Sequence, residues 1–141
     1  MTNIIDWNLC KNKFIRNVEV DEEQINSIIE TAAKRLKFIK SNKATNDNIS
    51  FIVENYYEII KELLIALLLK NGLKSSNHQC LISYFYKEYP DYEFEVNIIS
   101  QMSYLRNRLN YYGEKIDFGF YDKNKVEFIK LIDLIKGLIR G

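Results

Sequence analysis

Apolar residues recur at steps of three and four along most of the chain, which is the spacing of amphipathic helices. The clearest run lies in residues 21–40 and consists of Ile25, Ile28, Ile29, Ala32, Ala33, Leu36 and Ile39. Three acidic residues at positions 21–23 precede this run, where a helix N-terminus favours negative charge. The pattern predicts a helix over residues 21–40.

A second helix is predicted over residues 47–70, after a polar stretch rich in turn-forming residues. Its sequence is apolar on nearly every side after Phe51, which is typical of a central helix that several others contact. Asn71 and Gly72 should end it, because both residue types tolerate the left-handed conformation that closes a helix.

Further helices are predicted over residues 76–88, 94–112 and 122–139. Pro90 should stop the first of them, since the residue before a proline is disfavoured in the helical conformation. Gly113 should stop the second, and Gly119 offers a turn in the link formed by residues 114–121.

The apolar pattern is weaker at the N-terminal end, where it consists of Ile4, Trp7, Leu9, Phe14 and Ile15. Residues 1–20 are therefore predicted to form an arm or a short helix, and residues 21–141 a helical bundle. The predicted fold class is all-α, an up-and-down four-helix bundle with an additional short N-terminal segment.

Composition narrows the functional classes. The chain has 141 residues, 47% apolar and 28% charged, which fits one globular domain. A formal net charge of +1 excludes a general electrostatic attraction to nucleic acid, so anion binding must come from a local cluster. The most apolar run, residues 59–69, is shorter than the roughly 20 residues that a membrane span needs, so no membrane association is expected.

The two cysteines, Cys10 and Cys80, lie far apart and are not set among other metal-ligating residues. This spacing predicts neither a disulfide framework nor a metal site, and no cofactor is expected. A reducing cytoplasm fits this reading best.

Candidate chemistry is concentrated in the helix over residues 94–112. Its apolar stripe, which should face the core, consists of Ile98, Met102, Leu105, Leu109 and Tyr112. A helical wheel places one contiguous polar flank beside the stripe, formed by Ser103, Arg106, Asn107, Asn110 and Tyr111. An arginine fork with neighbouring amides and a phenol suits a phosphate or a ribose hydroxyl. The alternative is an ordinary solvated helix flank.

The segment LRNRLNYYG at residues 105–113 resembles the HEPN family, whose RNA-cleaving members carry an arginine, usually a polar residue after it, and a histidine four to six residues later. On this chain the resemblance places the arginine at Arg106, the polar residue at Asn107, and Tyr111 where the histidine would stand. The sequence at residues 51–72 resembles the second helix of that family, and His78 would open its third. The resemblance spans residues 21–139.

The resemblance implies binding of RNA or a nucleotide through Arg106, Asn107, Asn110 and Tyr111, with Arg106 and Tyr111 as the candidate catalytic residues. It also implies a homodimer and a small nucleotidyltransferase partner in a toxin–antitoxin pair. Tyrosine, with a pKa of about 10, is a poor general base at neutral pH, so efficient ribonuclease activity is not expected.

Two alternatives remain open at this point. One is an active, metal-independent HEPN ribonuclease toxin in which Tyr111 or His78 acts as the acid or base. The other is a plain helical, dimeric interaction protein in which Arg106 makes a structural ion pair. An intact Arg106 without affinity for RNA or nucleotides would favour the second.

Three other features have simpler interpretations. The lone His78 is interpreted as a packed or partly exposed polar residue, because a histidine without a visible partner is usually structural. Glu54, Glu58 and Glu62 recur every four residues and are interpreted as a solvated edge that pairs with lysines such as Lys61 and Lys70. The many tyrosines are interpreted as residues at the edge of the core rather than as a surface for base stacking.

Overall fold

The computed structural model describes residues 4–141, so the first three residues of the predicted arm lie outside the described residues. Within this range the α-helices are α1 (Trp7–Lys13), α2 (Glu22–Lys40), α3 (Ile49–Lys70), α4 (Gln79–Glu88), α5 (Glu93–Tyr112) and α6 (Phe118–Arg140). Two short strands, β1 (Ile15–Asn17) and β2 (Leu73–Ser75), form the only sheet in residues 4–141. The predicted all-α class is confirmed.

The central element is α3, which packs against α2, α4, α5 and α6. Fourteen of its 22 residues are buried, including Ile59, Ile60 and Leu63, because its sequence is apolar on nearly every side. The prediction of a central helix is confirmed. In the part of the chain that the structure describes, no helix combines the length and the apolar character needed to cross a membrane.

Most helix ends follow from local chemistry. The Asp21 carboxylate accepts a hydrogen bond from the Gln24 amide at 3.2 Å and so caps α2. Gly72 and Gly113, which follow α3 and α5, have φ angles of 73° and 66°, the left-handed conformation expected of them.

The link between α5 and α6 is shorter than predicted. The helix expected to begin at residue 122 begins at Phe118, and Gly119 lies in its first turn instead of in a loop. The reason is the packing of Ile116, whose side chain is buried and whose amide donates to Ser50 Oγ at 2.8 Å. With Ile116 fixed on α3, the chain enters α6 at once.

The N-terminal segment contains the short helix α1, which packs on α4 through Trp7 and Tyr84, with ring centroids 5.7 Å apart. Strand β1 then pairs antiparallel with β2, which places Arg16 opposite Lys74. The sequence did not predict these strands, because three residues are too few to show an alternating pattern. The division at residue 20 stays a prediction.

A disulfide joins Cys10 of α1 to Cys80 of α4, with the two Cα atoms 5.6 Å apart and both side chains fully buried. The expectation of no disulfide is therefore wrong. A separation of 70 residues hid the pairing, which depends on how α1 packs on α4. Disulfides persist in oxidising surroundings, so the cysteines do not support a reducing cytoplasm, and the cytoplasmic location stays a prediction.

Candidate functional site

Helices α3 and α5 run antiparallel and bring polar residues together in the pairs Tyr57–Ser103, Glu58–Arg106 and Glu54–Asn110. The line along which these pairs meet is called the groove. At the buried end of this groove the Tyr57 hydroxyl donates to Ser103 Oγ at 3.3 Å. Burial raises the pKa of Tyr57, and the hydrogen bond to Ser103 opposes part of that rise. Ser103, expected on a polar flank, is thus one of the buried residues that join α5 to the core.

The predicted apolar stripe of α5 holds for most of its length. Ile98 and Met102 are buried, and Leu105 and Leu109 are partly buried. The prediction that Tyr112 belongs to the core-facing stripe is wrong, because this residue is 68% exposed. Its ring lies 4.4 Å from the Arg108 guanidinium instead of entering the core.

Arg106 lies at the centre of the groove. Its Nη2 approaches Glu58 Oε1 of α3 at 3.5 Å, and its Nη1 donates to Asn107 Oδ1 at 3.4 Å. In the amide orientation that satisfies both neighbours, Asn110 accepts from Arg106 Nε at 3.2 Å and donates to Glu54 Oε2 at 3.0 Å. The structure therefore brings together three of the four predicted binding residues.

Glu58 has a closer partner than Arg106, because Lys61 Nζ lies 2.8 Å from its Oε2. The side chains of Glu58 and Lys61 are only 22% and 13% exposed. The interpretation of the glutamates as a solvated edge is therefore wrong for Glu58 and for Glu62, which is 21% exposed. The pairing with Lys61 is confirmed, and the expected pairing with Lys70 is wrong. Glu62 pairs with Arg35 of α2, and Lys70 pairs with Glu22.

The start of α4 forms the third side of the groove. The Gln79 side-chain amide donates to Ser103 Oγ at 2.8 Å, next to the exposed His78. The pKa of His78 is lowered, first by loss of solvent around the ring and then by the positive charge of Lys61. Glu58 opposes this shift and Arg106 adds to it, so the imidazole lies within electrostatic reach of the groove.

Tyr111 does not join this group. It is 75% exposed, and it has no side-chain hydrogen bond or ion pair within residues 4–141. Five residues along a helix correspond to a rotation of about 140°, which turns Tyr111 away from Arg106. The predicted single patch is thus divided into a groove with Arg106 and an exposed tyrosine.

The exposed side of α5 carries a separate aromatic cluster. The Arg108 guanidinium lies 4.4 Å from the ring centroid of Tyr112 and 6.0 Å from that of Tyr104. Both Nε and Nη2 of Arg108 donate to Glu114, which raises the pKa of Arg108 and lowers that of Glu114. This pairing fixes Arg108 over the rings and keeps its charge out of the groove.

Sequence reasoning missed the contribution of Glu58, Lys61, His78 and Gln79 to the groove. Glu54 and Glu58 are four residues apart, as are Arg106 and Asn110. This equal spacing was the one sequence signal that the two pairs could face each other. It could not be used without knowing that α3 and α5 are neighbours. Across residues 4–141, no three His, Cys, Asp or Glu side chains are grouped so as to hold a metal ion.

Comparisons of the chain with protein-family models, with curated proteins and with solved structures find no match. The likeness to HEPN proteins therefore rests on the residues at 51–78 and 105–113 alone.

Proposed function

We propose that the protein is a HEPN-like RNA- or nucleotide-binding protein that binds a phosphate group through Arg106 and lacks efficient ribonuclease activity. The observation that supports this is the groove in which Arg106, Asn107 and Asn110 meet. Lys61 reaches Glu58, and Asn110 reaches Glu54, at the same place, so basic and amide donors meet two carboxylates at one point between α3 and α5.

The charge of Arg106 is only partly compensated. Its contact with Glu58 is long, at 3.5 Å, whereas Glu58 has Lys61 at 2.8 Å. A phosphate oxygen could take the place of Glu58 at the Arg106 fork while Glu58 keeps its ion pair with Lys61. Charge-assisted hydrogen bonds of this kind are about twice as strong as neutral ones.

Weak cleavage follows from the place of Tyr111. The phenol is turned away from Arg106, so it does not lie beside a phosphate held there. If cleavage occurs, His78 is the other candidate for the acid or base, because its imidazole lies within electrostatic reach of Arg106.

The binding test compares Arg106→Ala with Glu58→Gln, using fluorescence anisotropy with single-stranded RNA and with AMP. Arg106→Ala should weaken binding by about 1.5–3 kcal/mol, the range for a charge-assisted hydrogen bond. Glu58→Gln should strengthen binding, because it removes the carboxylate that competes for the guanidinium.

Lys123→Ala, an exposed lysine on α6, is the control for the loss of one positive charge. RNA cleavage is measured in parallel in a chelator-containing buffer, where little is expected. Efficient cleavage that Arg106→Ala abolishes would replace the proposal by the ribonuclease alternative, and His78→Gln would then identify the acid or base.

The ion pair between Arg106 and Glu58 favours a second candidate, a plain helical interaction protein in which this pair serves the fold. In that case Arg106→Ala and Glu58→Gln should both lower the melting temperature, and neither substitution should change the affinity for RNA or AMP. Under the first proposal the two variants change affinity in opposite directions.

The partner proteins are proposals of the same kind. A small nucleotidyltransferase that acts with this chain as a toxin–antitoxin pair should co-purify with it when the two are expressed together. A homodimer through α5 is proposed as well.

A further inference from the structure

A second basic site lies outside the groove, on the short sheet. A surface cavity of about 260 Å³ opens between the end of α1, β1 and β2. Three of its lining side chains are cationic, namely Lys13, Arg16 and Lys74, and none is acidic. Ser76 contributes a hydroxyl at the same cavity.

The strand register makes this arrangement costly without a ligand. Arg16 and Lys74 are directly opposite each other in the antiparallel pair, so their side chains leave the same face of the sheet. Like charges in this position repel and destabilise a strand pair. Within residues 4–141, neither side chain forms an ion pair with a carboxylate, and nor does Lys13.

Hydrogen bonds hold the backbone around the cavity, although the cationic side chains that line it are exposed. The Ser76 amide donates to Phe14 O at 2.9 Å, and the Val18 amide donates to Gly72 O at 2.9 Å. The buried disulfide joins α1, which precedes β1, to α4, which follows β2. The backbone of the three cationic residues is therefore held around one cavity, where their side chains can converge on an anion.

We propose that this cavity binds a doubly charged phosphate group, such as inorganic phosphate or a phosphate monoester. Three cations match a dianion better than they match a carboxylate, which carries one charge. A phosphate monoester carries a charge of about −1.5 to −2 at pH 7. The cavity is smaller than the roughly 300–1,000 Å³ of most ligand pockets, which suits a phosphate group with little attached to it.

This site is separate from the Arg106 groove, and it holds or fails independently of the proposed function. The test measures the rise in melting temperature that inorganic phosphate causes at pH 7.5, relative to chloride at equal ionic strength. Phosphate should stabilise the protein in proportion to its binding, because it binds the folded form alone.

The measurement is made in the Arg106→Ala background, so that phosphate at the groove does not contribute. There, Arg16→Ala combined with Lys74→Ala should abolish this rise and weaken phosphate binding by calorimetry at least tenfold. The double variant should fold at least as stably as the wild type in chloride, because it removes a repulsion. The matched control is Lys37→Ala combined with Lys123→Ala, which removes the same charge from exposed helix positions and should keep the full response.

Three further probes distinguish the source of the phosphate. AMP should bind to the cavity as inorganic phosphate does if a monoester is the ligand, and adenosine should not bind. Dimethyl phosphate, a monoanion, should bind much more weakly. Equal responses of the double variant and its control, or equal binding of dimethyl phosphate and phosphate, would overturn the proposal. Arg106→Ala should leave phosphate binding at the cavity unchanged.

Discussion

His78 is the chain's one histidine, so its titration can be followed without interference from another imidazole. Its pKa in the folded protein lies below the ordinary value of 6.5, because of lost solvent and the nearby charges of Lys61 and Arg106. Between the two pKa values the unfolded chain therefore binds more protons than the folded one, and stability rises with pH.

We expect the melting temperature to fall as the pH is lowered in the window just below the ordinary histidine pKa of 6.5, and His78→Gln to flatten that slope. Calorimetry of both proteins across this window is the measurement. The carboxylates titrate mainly at lower pH, so they contribute little there. An equal slope in the variant would show that the groove does not perturb the imidazole.

The sequence predicted those site residues that share a helix. Arg106 and Asn110 are four positions apart on α5, and this spacing alone indicates that their side chains meet. Their contacts with Glu58 and Glu54 depend on the register between α3 and α5, which no local pattern encodes. Tyr111 was misplaced because the flank drawn on the helical wheel extends over about 140° from Arg106 to Tyr111, which is too wide for these two side chains to meet.

At the scale of elements, helices were predictable because each carries its own signals. The apolar period, the Asp21 cap and the glycines after α3 and α5 are all local features. The strands β1 and β2 and the disulfide were not predictable, because each needs two segments that lie far apart in the chain. The sequence pattern therefore does not predict elements, such as a short strand pair or a disulfide, that exist only through pairing of distant segments.

The disulfide should contribute substantially to stability. It closes a loop between residues 70 positions apart, and for such loops the loss of freedom in the unfolded chain typically stabilises the fold by about 2–4 kcal/mol. Cys10→Ala combined with Cys80→Ala should lower the free energy of unfolding by that amount in urea. Because α2, α3, α5 and α6 share the main core, the helical content should remain.

The control is urea unfolding of the wild type and of the double cysteine variant, each with and without a dithiol reductant. Reduction should bring the wild type close to the double variant and leave the variant unchanged. A wild type that is equally stable in both conditions would mean that packing of α1 on α4 carries the stability without the covalent link.

At the scale of the whole molecule, several tyrosines of α5 are not covered by the fold. Tyr104, Tyr111 and Tyr112 are each more than half exposed along the outer side of this helix. A homodimer in which two copies of α5 approach each other would cover these rings and bring both stretches of residues 106–111 into one cleft. Glu58 would lessen the repulsion between the two arginines.

We therefore expect Tyr111→Glu to shift the protein toward monomer, measured by light scattering over a dilution series. Val126→Glu is the matched control, because Val126 is 59% exposed on α6 and lies outside the proposed interface. A monomer at every concentration for the unaltered protein would exclude this dimer. A dimer that withstands Tyr111→Glu would place the interface elsewhere.

The link between Cys10 and Cys80 also makes the chain a covalent ring with two tails, and the ring contains the segment between α2 and α3. Lys43 is exposed in that segment, so trypsin should cut there before it cuts the helices. The nicked molecule should still migrate as one species on a denaturing gel. Only a reductant should separate it into two fragments, so a single cut would open the ring without dividing the molecule.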